Sequence, residues 1–130
     1  MTNELEILVL LAGLTIFMWL PYILVHIINV GLIQALTYQA DGEPLPEWAA
    51  RAKRAHYNAI ENLAPFAVLV IVAHLANVNN DATASSALAF FCFRVAHYVV
   101  YTLGIPFGRT LTFAGGWLAQ LCLLYQILIA

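Results

Sequence analysis

Residues 51–76 read RAKRAHYNAIENLAPFAVLVIVAHLA, and this stretch decides the fold. Its first half holds Arg51, Lys53, Arg54, His56, Asn58, Glu61 and Asn62, whereas the remainder is apolar except for His74. A helix through it places a cluster of charges at the mouth of an apolar run, and the whole stretch exceeds the ~20 residues that a bilayer crossing requires. The rest of the chain agrees. Of 130 residues 63% are hydrophobic and only 9% charged, and the mean hydropathy is +0.85. That leaves too little polar side-chain surface to cover a water-soluble globule of this size.

Three further apolar stretches predict a four-helix membrane protein with helices over about 5–36, 46–76, 82–103 and 109–130. The first has Pro21 inside it, read as a kink, and it starts with Glu4 and Glu6 instead of the basic residues of a signal peptide. Asp41-Gly42 and two prolines mark the first connection, and Pro46 suits the first position of the second helix with Glu47 at its positive end. NVNND (residues 77–81) and GIPFGR (residues 104–109) make the other two turns. Arg51, Lys53, Arg54 and Arg109 all lie at ends joined by connections one and three. The positive-inside bias therefore places those connections in the cytoplasm and both termini on the opposite side.

The formal net charge of -2 and the absence of a basic run exclude nucleic acid as a partner. Cys92 and Cys122 lie inside apolar stretches without paired spacing, so no metal site is expected and both read as buried small hydrophobes. Asn29 and Gln34 read as interhelical hydrogen-bonding residues. A haem between His26 and His97 lacks any other sequence mark.

At ~100° per residue, Arg51, Arg54, Asn58, Glu61 and Pro65 share an arc of about 80° on the second helix. Arg94, His97 and Tyr101 share roughly 60° on the third, which runs antiparallel, so the two stripes meet at similar depth. An ionisable group inside a span costs about 2.5–3.5 kcal/mol, which predicts that Glu61 and Arg94 turn inward and pair with each other or with Arg54. A purely structural ion pair accounts for the same residues, and Lys53, off the stripe, reads as an interfacial anchor.

RAKRAHYNAIEN with LAPF, then FRVAHYVVY, then GRT and LAQLCLLYQIL resemble the MAPEG family, the membrane-associated proteins in eicosanoid and glutathione metabolism. The resemblance runs from about residue 47 to the C-terminus. It implies an all-α, left-handed four-helix bundle forming a homotrimer, with a glutathione site between subunits near the cytoplasmic face. By that resemblance Arg51, Arg54, Asn58 and Glu61 bind the tripeptide; Arg94, His97 and Tyr101 line the site; and Arg109, with Thr110 beside it, stabilises the thiolate. The implied activity is a glutathione-dependent transferase or peroxidase acting on lipophilic electrophiles or lipid hydroperoxides. The alternative is a non-enzymatic member of the fold that binds a lipid or another anionic ligand. Similarity to short bacterial members implies an inner membrane. The pattern departs at Tyr57 and Gln34, where characterised members carry basic residues, and at Phe113, where several carry tyrosine.

The chemistry suits glutathione on its own terms. Two carboxylates and an amine call for a guanidinium and a carboxylate, which Arg51 or Arg54 and Glu61 supply. A thiol of pKa about 8.5 needs a nearby cation to ionise at neutral pH, and Arg109 is always charged.

Overall fold

The computed structural model describes residues 1–130. It is all-helical: α1 Asn3–Phe17, α2 Leu20–Val30, α3 Leu32–Leu36, α4 Glu47–Leu75, α5 Asp81–Leu103 and α6 Gly108–Ile129, with one 3-10 turn at Tyr38–Ala40. Asn3–Val30, α4, α5 and α6 are each long and apolar enough to cross a membrane. Only 21 of 130 residues are buried. Most apolar side chains therefore point outward, as they must where lipid is the solvent.

The first crossing differs from the expected single helix. Pro21 has no N–H to give Phe17, and its ring crowds that carbonyl, so α1 stops at Phe17 and α2 restarts with Pro21 in its first turn. Thr15 bonds back to the Leu11 carbonyl at 2.8 Å just before the break. The second interruption is Gly31, at φ +92, a conformation only glycine adopts without strain. Beyond it α3 is a short exposed piece, and Asn29 and Gln34 are exposed instead of bridging helices. Cys92 and Cys122 are likewise exposed, on the outer surface of the bundle, and not buried as expected.

The main core joins α1, α4, α5 and α6 through Leu11, Phe66, Val70, Phe90 and Leu123. Phe66 and Phe90 stack with centroids 4.2 Å apart. Further along α4, Ala49, Ala52, Ala55 and Ala59 form a buried stripe at helical spacing. Ala49 and Ala52 pack with Tyr22 of α2, and small residues there let neighbouring backbones approach closely. Gly115 does the same for α6, since any Cβ there would collide with the Phe93 ring.

The end opposite the arginines is closed by Glu4, 2% exposed, whose carboxylate accepts from the Thr83 hydroxyl. Thr83 also completes the N-terminal cap of α5: the Asn80 amide donates to its hydroxyl at 2.8 Å, and Asn80 Oδ1 accepts from Ala82 and Thr83. Leaving a buried carboxylate without its donor costs about 1–3 kcal/mol. Thr83→Val should accordingly lower the melting temperature in detergent, with Thr83→Ser holding close to wild type. An unchanged melting temperature in the valine variant would show that this latch carries no stability.

Candidate functional site

The turn between α5 and α6 builds one wall of the site. Gly104, φ +71, ends α5 in the left-handed conformation that frees the chain to turn. Phe107 precedes α6 at φ +63, and Gly108 packs against Val100 so tightly that a Cβ would stand 3.0 Å from the valine Cβ. This brings Arg109 and Thr110 beside the last turn of α5 and the first turns of α4.

Two adjoining clefts result. The outer, about 350 Å³, is lined by Arg51, Arg54, Tyr101, Arg109 and Thr110 among others. The inner, about 320 Å³, is lined by Asn58, His97, Tyr101, Arg109, Thr110 and Phe113. Tyr101, Arg109 and Thr110 belong to both, so the clefts are one continuous depression. The Arg109 guanidinium carbon stands 5.0 Å from the Tyr101 ring centroid, within cation–π range. His97 meets Tyr101 edge-on with centroids 5.4 Å apart, and Phe113 at 6.5 Å.

Arg94 is behind this surface, 2% exposed. Its Nη2 donates to Asn58 Oδ1 at 2.7 Å and approaches His97 Nδ1 at 3.5 Å. A guanidinium can only donate, so in this contact Nδ1 serves as acceptor in the tautomer that carries its proton on Nε2. The network continues outward from Asn58: Asn62 Nδ2 donates to its carbonyl at 2.9 Å and to its Oδ1 at 3.3 Å, and Gln120 Nε2 reaches the Asn62 carbonyl at 3.3 Å.

Seven of the nine residues expected from the sequence thus line the depression: Arg51, Arg54, Asn58, His97, Tyr101, Arg109 and Thr110. Arg94 supports it from within. Glu61 is exposed and lines neither cleft. The expected inward pairing of Glu61 with Arg94 or with Arg54 is therefore corrected: Glu61 is exposed, and Arg94 is held by the neutral acceptors Asn58 Oδ1 and His97 Nδ1. His26 belongs to a separate cleft with Tyr22, Asp41 and Glu43, away from His97. Asn62 and Gln120 escaped sequence reading; the four-residue step from Asn58 to Asn62 was the available signal for the first.

Bilayer-length helices, with a cationic depression at one end of the bundle, define an integral, multi-pass membrane protein. The model of the MAPEG family matches residues 7–129, and the chain belongs to that family, whose fold is a membrane four-helix bundle. Comparison with curated proteins and with solved structures gives no match.

Because Asn58 Oδ1 accepts from both Arg94 and Asn62, an aspartate in its place presents the same oxygen with a full charge. Asn58→Asp should keep the fold, whereas Asn58→Leu should lose about 1.5–3 kcal/mol, the worth of a hydrogen bond to a charged group. Thermal unfolding in detergent separates the two, and equal stability of the leucine variant and wild type would contradict the holding role.

Proposed function

We propose that this protein activates glutathione in the depression between α4, α5 and α6 and directs its thiolate at a lipophilic acceptor. The observation that carries this reading is the convergence of Arg54 from the second crossing and Arg109 from the fourth on one cleft. Arg54 offers the fork that matches a carboxylate, and Arg109 a permanent charge that lowers a thiol pKa. Thr110 and Tyr101 place hydroxyl groups beside that charge. In transfer, the sulfur attacks an electrophilic carbon, forming the C–S bond as the leaving group departs with the bonding pair. In reduction of a hydroperoxide, the sulfur takes the terminal oxygen as the O–O bond breaks and the alkoxide gains a proton. A second glutathione then releases water and leaves the disulfide.

Membership in the family supports an association with glutathione and a trimer. The position of Glu61 independently supports a neighbouring copy on its face of α4. An exposed carboxylate on a spanning helix faces lipid in a single copy, at a cost of about 2.5–3.5 kcal/mol. A neighbouring copy against this face removes that cost and brings Glu61 to the shared site, where it meets the ligand's ammonium. Connections one and three then face the cytoplasm of an inner membrane, and lipophilic acceptors arrive through the bilayer.

A second reading, binding of an anionic amphiphile without chemistry, draws on the fact that no acidic side chain lines either cleft. The two readings separate by kinetics. With an electrophilic nitroarene as acceptor, Arg54→Ala should raise the glutathione Kd about tenfold or more, the loss of one charged contact. Arg109→Ala should leave Kd within about threefold and lower kcat at least about a hundredfold, as for a group that ionises the bound thiol more than it holds the tripeptide. Absence of glutathione-dependent turnover in wild type, with an anionic detergent displaced from the cleft by anionic lipid, would favour the second reading.

A further inference from the structure

Arg51 shares its charge with Arg54 and Arg109, but its contacts set it apart. Its Nε–H donates to the Thr102 carbonyl at 3.1 Å, tying the start of α4 to the end of α5. Carbonyls in the last turn of a helix have no partner inside it, and the negative end of the helix dipole favours a cation there. The chain then turns at Gly104, and the guanidinium is packed directly on that glycine: an added Cβ would stand 3.1 Å from both its Cζ and its Nε. On the far side of the turn Gly108 is wedged against Val100. Residues 104–108 are clamped from two directions, and Arg109 follows immediately.

We infer that Arg51 is a positioning residue: by bridging α4 to the Thr102–Gly104 turn, it fixes where Arg109 stands relative to Arg54 and Asn58. The consequence for the thiol rests on the glutathione reading above, but the clamp itself does not. The hydrogen bond, more than the charge, performs this task, and two substitutions pull them apart. In glutamine the side-chain nitrogen lies as many bonds from the backbone as Nε does in arginine, so Arg51→Gln keeps the donor and loses the charge. Lysine has a carbon at that place, so Arg51→Lys keeps the charge and moves its donors one bond beyond the position that meets the Thr102 carbonyl. Arg51→Met lacks both.

The test is hydrogen–deuterium exchange of residues 104–109 in the detergent-solubilised protein, alongside the amplitude of glutathione thiolate absorbance at saturation. Exchange over residues 66–75 of the core serves as the folding control. Opening of the clamp should raise exchange over 104–109 about tenfold in Arg51→Lys and in Arg51→Met, while Arg51→Gln stays within about threefold of wild type. Thiolate amplitude should fall further in Arg51→Lys than in Arg51→Gln. Looser exchange in Arg51→Gln than in Arg51→Lys, or equal exchange in all variants, overturns the clamp. The exchange order without any thiolate in wild type upholds the clamp and removes the glutathione reading instead.

Discussion

A guanidinium inside a bilayer has to be held by protein, and Arg94 is held by Asn58. That 2.7 Å contact joins the second and third crossings at one depth, and its partners organise what surrounds it. His97 is turned with Nδ1 toward Arg94, which leaves its ring edge for Tyr101. Asn62 and Gln120 extend the tie to the fourth crossing. In hydrocarbon the alternative to such a network is an unsolvated charge, so the network confines the relative register of α4 and α5.

With that register fixed, the functional groups run from the interior outward. Arg94 is inside the bundle, Asn58 and His97 join it to the inner part of the depression, and Arg54, Tyr101, Arg109 and Thr110 complete the lining. Short connection geometry supplies the rest: Gly104 and Gly108 let the chain reverse closely enough for Arg109 to stand over Tyr101. A thiol placed there has a fixed cation on one side and aromatic and apolar side chains on the other. That environment favours an ionised sulfur and admits a lipophilic partner.

Much of this was legible in the sequence. Long apolar runs announced the crossings because length and hydropathy suffice for that, and the three-and-four spacing of Arg54, Asn58 and Glu61 and of Arg94, His97 and Tyr101 placed both stripes. Three things were not legible. The interruption of the first crossing required knowing that the effect of Pro21 falls on the carbonyl four residues earlier, so that the helix ends at Phe17 and resumes at Leu20 instead of bending through Pro21. The partner of Arg94 could not be chosen from helical angle alone, because Asn58 and Glu61 share an arc and differ only by one turn of depth. The exposure of Cys92, Cys122 and Glu61 belongs to a surface whose neighbours are lipid or other copies of the chain, and apolarity in sequence does not distinguish those from the interior.

Ionisation of a thiol in the depression, as proposed, has a direct optical signature. The ultraviolet difference absorbance of glutathione added to the detergent-solubilised protein at neutral pH addresses it most directly. The account predicts a thiolate band that saturates with glutathione and is absent from a folded Arg109→Ala variant. Saturable glutathione binding with no thiolate band in the wild-type protein would contradict it.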